Sequence, residues 1–227
     1  MEAKEIISEI KTIYSKYGTP LHLQKHMLRS AAVAELICDN LNCDVVREDV
    51  IGALLLHDLG NIVKMHFDDE TNLKFLEKDD LERVEELKQK QKEFLNKYGD
   101  DDLEINHAIA KELGVSQRIE ELLNEIGFKD ACQINESNNL ELMLRGYCDW
   151  RVGIFGILSL DERIEDVKER YTRKGIQIYK KKDVDEKQLD LLLLCAKEVE
   201  KKIISKCKIK PEDITDESIK PYLEKYF

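Results

Sequence analysis

Proline is nearly absent from this sequence, with three residues in 227, and glycine contributes only ten. So few chain breakers exclude a loop-rich chain and predict long regular elements joined by short connections. Tryptophan occurs once, and the six cysteines (Cys38, Cys43, Cys132, Cys148, Cys195, Cys207) are scattered without a CxxC pair. That placement shows neither a zinc-finger spacing nor the disulfide framework of a small secreted domain. No apolar run approaches the roughly 20 residues of a membrane span. The longest, residues 191–196, predicts one buried face of a helix. The chain opens MEAKEIISEIKTIY, without an apolar signal core, so a reducing cytoplasm is the expected compartment.

Hydrophobic residues make up 42% of the chain, enough for a core, and charged residues 37%, enough for a well-solvated surface. The formal net charge is −11 and is unevenly spread. Residues 1–150 hold 18 basic and 31 acidic side chains, a balance of −13; residues 151–227 hold 18 and 16, a balance of +2. An acidic body excludes a broad nucleic-acid footprint, which needs clustered basic surface. A small phosphorylated ligand, needing only a few local cations, stays compatible with it.

Apolar residues recur at helical spacing nearly throughout, and the expected class is all-α. The pattern predicts helices over 4–17, 20–41, 47–60, 104–113, 116–126, 138–158, 160–173, 185–206 and a short one from Thr215. Thr19 can cap the second, with Pro20 in its first turn. Ser159 and Glu162 form a capping box for the helix at 160. Residues 68–100 are strongly charged and predict one or two exposed helices, a solvated cover or flap as readily as a binding element. Lys180–Asp185 is a polar connector, and 175–179 carries the longest strand-like alternation. The organisation expected is an N-terminal helix (1–19), a helical domain (20–175, with 68–100 as a charged insert) and a C-terminal helical extension (176–227).

There are five histidines, and His57 is followed at once by Asp58 at the end of an apolar helix, ALLLHDLG. Aspartate is rarely buried unless paired, so two adjacent ionisable groups there need a common partner, and a divalent cation supplies one. His26 lies on the stripe His26, Ser30, Val33, Ile37, the buried face of the second helix, while His22, one turn earlier, falls towards the rim. Asp149, in RGYCDWRVG, is a carboxylate inside another apolar helix, flanked on its face by Gly146 and Gly153. Those glycines suit close approach of helix backbones around a metal, or plain packing. Two imidazoles and two carboxylates suit a borderline or hard divalent ion such as Mn, Fe, Co, Ni or Mg, with positions open for water and substrate.

The order of a histidine, about thirty residues, His-Asp at a helix end, then a distant aspartate resembles the HD-domain superfamily of metal-dependent phosphohydrolases. The stretches KHMLRSAAVAELI and DWRVGIFGILSLDERIEDVKERY extend the resemblance over roughly residues 20–175. It implies that His26, His57, Asp58 and Asp149 hold one divalent metal, and that metal-activated water attacks phosphorus in a small phosphorylated substrate, a nucleotide being the favoured class. Many relatives carry lysine directly after His-Asp-x-Gly; here Asn61 stands there and the nearest lysine is Lys64.

His107 looks like the extra histidine of two-metal or phosphate-positioning members. No histidine follows it, which favours one metal, and His107 is then a phosphate or proton-transfer group or a capped core histidine. Asp68 is a loose candidate for acid–base work. Lys64, Arg145 and Arg29 are candidates to steady the phosphate, or ordinary ion pairs; Arg151 and Arg163 are weaker ones. Trp150 could stack a base or pack in the core. A non-catalytic metal- or nucleotide-sensing module of the same fold is the alternative, and a homodimer is compatible with either. A two-iron oxygenase on this scaffold needs more histidines than the chain offers. The GYP extension of cyclic-dinucleotide hydrolases is missing.

Overall fold

The structure is a computed structural model that describes residues 1–68, 73–74, 76–124, 127–172 and 186–226. The strand-like alternation at 175–179 and the polar connector lie outside the described residues. Among those described there are twelve α-helices and no strand, only the isolated bridges Leu41–Cys207 and Val152–Ile157. The helices are α1 (Ala3–Tyr17), α2 (Leu21–Asp39), α3 (Arg47–Leu56), α4 (Lys78–Glu82), α5 (Val84–Tyr98) and α6 (Asp102–Leu113). They continue with α7 (Gln117–Leu123), α8 (Ala131–Ser137), α9 (Leu140–Trp150), α10 (Leu160–Thr172), α11 (Glu186–Ile204) and α12 (Asp216–Leu223).

The middle of the bundle is α3. Every residue from Val50 to Leu56 is buried, as expected of a helix that is apolar all round rather than striped. It packs against α1, α2, α7 and α9. Tyr14 of α1 adds a polar anchor by donating its hydroxyl to the Leu55 carbonyl at 2.9 Å. The C-terminal helices belong to the same core: α11 lies on α8 and α9, and α12 on α2, so Val199, Ile203 and Ile219 share one apolar cluster with α3.

Several expected boundaries shift. The helix expected to run through His57 to Gly60 stops at Leu56, and a 3-10 turn spans Leu59–Lys64. The helix expected over 138–158 ends at Trp150, because Arg151 turns its side chain back to the carbonyls of Leu158, Pro211 and Ile214 and closes a loop there. A short helix at Ala131–Ser137 goes unannounced by the sequence.

Thr19 does not cap α2: Pro20 occupies the cap position, and the Thr19 hydroxyl is buried without a hydrogen-bond partner. The cap comes from far along the chain, as the Asp80 carboxylate accepts the Leu21 amide hydrogen at 2.6 Å. The Ser159–Glu162 capping box is present as expected, and Thr215 caps α12. The scattered cysteines also hide a pairing. Packing of α8 on α11 joins Cys132 to Cys195 in a disulfide that their 63-residue separation does not suggest.

Gly60 sits where the 3-10 turn presses on α6. A Cβ there would lie 2.7 Å from the Asp102 carbonyl oxygen and 3.0 Å from Ile105. Gly60→Ala should therefore cost about 1–3 kcal/mol in urea unfolding through overpacking. Wild-type stability in that variant would mean the turn is looser than described.

Candidate metal centre

The break after α3 positions the first pair of donors. A helix end leaves carbonyls unsatisfied, and His57 answers one of them: its Nδ1 lies 2.7 Å from the Leu54 carbonyl oxygen. A carbonyl only accepts, so Nδ1 carries the proton and Nε2 keeps its lone pair, the arrangement that suits a metal-binding imidazole. Asn106 of α6 holds the break from the other side. Its amide nitrogen donates to the His57 carbonyl at 2.5 Å, and its amide oxygen accepts the Gly60 amide hydrogen at 2.7 Å. The backbone of Asp58 is thereby pinned between two fixed neighbours.

His26 comes from α2 and Asp149 from α9. His26 Nε2 lies 3.3 Å from His57 Nε2, 3.6 Å from Asp58 Oδ2 and 2.9 Å from Asp149 Oδ1. His57 Nε2 is 3.7 Å from Asp58 Oδ1 and 3.3 Å from Asp149 Oδ1. Donor atoms of His26, His57 and Asp58 all fall within 4.8 Å of one another, a group that could hold a metal ion. Two imidazole nitrogens facing each other with carboxylate oxygens alongside fit a borderline or hard divalent cation.

The electrostatics agree with that chemistry. Burial pushes the His57 pKa down, but the carboxylates of Asp58 and Asp149 more than offset it and leave it raised. Burial works against ionised Asp149 too, yet His57 and His26 hold its carboxyl well below the usual range. Behind it stands Arg145, fully buried, with Nη1 3.8 Å from Asp149 Oδ2. Burial lowers the Arg145 pKa to about 10 against the pull of Asp149 and Asp58, so the guanidinium stays charged at neutral pH.

A family profile described as HD domain matches residues 23–143, more than half of the chain. The chain belongs to the HD-domain superfamily. No curated protein and no solved structure matches it. HD-domain proteins form a family of metal-dependent phosphohydrolases that bind divalent metals and act on phosphorylated substrates. The match stops six residues before Asp149, so the place of that carboxylate beside the two histidines rests on the geometry alone.

In this HD-domain protein His26, Asp58 and Asp149 line a recess of about 240 Å³, with His57 buried beside them. Its apolar lining includes Leu23, Met65, Phe67, Leu76, Val152 and Ile154, and its polar lining His22, Asn61, Lys64, His66 and Arg163. Lys64 is ion-paired with Asp102, and Arg163 with Asp166 at 2.6 Å. The Asn61 side-chain oxygen is buried with no hydrogen-bond partner.

Other sequence candidates lie elsewhere. Arg145 is sealed behind Asp149 rather than open to the recess, and Arg29, beside Asp216 at 3.8 Å, does not line it. Asp68 is 90% exposed and paired with Lys88 at 2.7 Å on the outer surface. His107 is half-buried on α6 and outside the lining; its neighbour Asn106 is the one that grips the metal-site turn. Trp150 is buried in the core with its ring edge-on to Phe128, so it packs rather than stacks a base.

His57→Ala and Asp58→Ala should each remove bound divalent metal while leaving the helical circular dichroism largely unchanged. Elemental analysis of the purified variants checks this, and a full metal complement in either would refute the assignment.

Proposed function

We propose that this HD-domain protein hydrolyses a small phosphorylated substrate, a nucleotide being the favoured class, with one divalent cation held by His26, His57, Asp58 and Asp149. The observation that carries the reading is the convergence of these four side chains, from three separate helical segments, at a recess that His26, Asp58 and Asp149 line together with Lys64 and Arg163. A cation held there supplies a bound water of lowered pKa and polarises a phosphoryl oxygen; Mn, Fe, Co, Ni and Mg all suit the donor set.

The chain's own residues do the rest. Lys64 and Arg163 present positive charge towards the recess and steady the phosphate, Lys64 being held in place by Asp102. The Asn61 amide, in the position where many relatives have lysine, offers a neutral hydrogen bond to the substrate. Asp58, a carboxylate of the cluster that also lines the recess, would take the proton of the attacking water. The apolar side covers the organic part of the ligand and excludes bulk water. At about 240 Å³ the recess is smaller than the roughly 300–1,000 Å³ typical of drug-sized sites.

The test is phosphate release from a nucleotide panel by protein loaded with each metal in turn. Release should stop on chelation and return when metal is restored. Lys64→Ala should raise KM by about 10-fold or more, the cost of a lost charge-assisted contact. Stoichiometric metal with no release from any phosphoester would support the sensing module instead.

A further inference from the structure

Hydrolysis of an alkyl phosphate leaves an alkoxide that needs a proton, and none of the residues assigned above gives one readily. His26 and His57 turn Nε2 into the donor cluster, Asp58 and Asp149 are acceptors in it, and Lys64 is bound to Asp102. Arg163 is paired with Asp166, and a guanidinium does not release its proton. His66 lines the recess but is exposed.

His22 is different. It sits one turn before His26 on α2 and lines the same recess. Its Nδ1 is buried, makes no hydrogen bond, and has the Asp80 carboxylate oxygen Oδ2 as its ion-pair neighbour at 3.9 Å. Asp80 is wholly buried and held rigidly: it accepts from the Leu21 amide at 2.6 Å and from Arg83 Nε and Nη2 at 3.1 and 3.0 Å. Burial alone would raise its carboxyl pKa, but His22, Arg83 and the Leu21 amide hold it below the usual range. A buried, anchored carboxylate this close to an imidazole nitrogen favours the tautomer that carries its proton on that nitrogen.

We propose that His22 is the proton donor to the leaving-group oxygen and that Asp80 is its positioning residue, an assignment that rests on the hydrolase reading above. In the step, water oxygen bonds to phosphorus while the bond from phosphorus to the ester oxygen breaks, its electron pair staying on that oxygen. The His22 proton passes to it and the alcohol leaves. The proton lost by the water passes through Asp58 to solvent, and His22 is reprotonated from solvent.

The experiment compares a nucleoside 5′-monophosphate, whose departing alkoxide needs a proton, with p-nitrophenyl phosphate, whose phenolate does not. His22→Asn in the metal-loaded enzyme should lower kcat on the nucleotide by about 100-fold and on the aryl ester by less than about 10-fold, the span expected of general acid catalysis. His22→Gln serves the same comparison if the asparagine variant does not fold. Equal losses on both esters would overturn the donor role, as would wild-type protein that hydrolyses the aryl ester alone; the hydrolase reading would survive either. Phosphate release from neither ester by wild-type protein would overturn that reading, and this inference with it. Histidine nitrogen NMR tests Asp80 without activity. His22 should keep its Nδ1 proton in wild-type protein and lose that preference in Asp80→Asn, and an unchanged tautomer would refute the positioning role.

Discussion

The structure depends on how one helix ends. The last carbonyls of α3 have no partners within the helix, and the bundle's middle offers no water to satisfy them. His57 and Asn106 meet that need, the ring nitrogen taking Leu54 and the amide taking His57 itself. In doing so they dictate which imidazole nitrogen is free, where Asp58 stands, and how the following turn leaves the core. A requirement of backbone satisfaction and the orientation of a candidate metal donor are met by the same two bonds.

The charges around that point are arranged in layers. Two carboxylates and two imidazoles meet beside the recess, and the buried guanidinium of Arg145 backs Asp149 from the core side. Burying any one of these groups alone would be costly. Together they balance in part, and the balance is directional. Positive charge lies behind the carboxylate, while His26 and His57 turn their Nε2 atoms toward one another. Such a cluster favours a cation over a neutral ligand on its floor, and leaves recognition of an anion to the wall.

The helical class and the core faces were legible because periodicity is a local signal and α1, α2, α10 and α12 follow it. The residues His26, His57-Asp58 and Asp149 stood out for a related reason: each interrupts a face that is otherwise apolar. What sequence could not display were partners supplied from far along the chain. Asp80 caps a helix that begins 59 residues earlier, and Asn106 grips a turn 49 and 46 residues away. Neither has a local signature. Arg145 shows the limit of spacing arguments. One turn from Asp149, it is near the site as expected, but proximity along a helix does not say whether a side chain faces the opening or the core. Lys64, at the end of the 3-10 turn, does face the opening.

The recess residues Met65, His66, Phe67 and Leu76 belong to a stretch of chain anchored on both sides. At one end Asn106 holds Gly60, and the Gln91 amide of α5 donates to the carbonyls of Ile62 and Met65, each at 2.8 Å. At the other, Asp80 is locked onto the start of α2. None of these anchoring bonds uses the side chain of Met65, His66, Phe67 or Leu76. Replacing these four side chains would leave the anchors and the cluster of histidines and carboxylates as they are, which makes them the recess positions most open to evolutionary retuning.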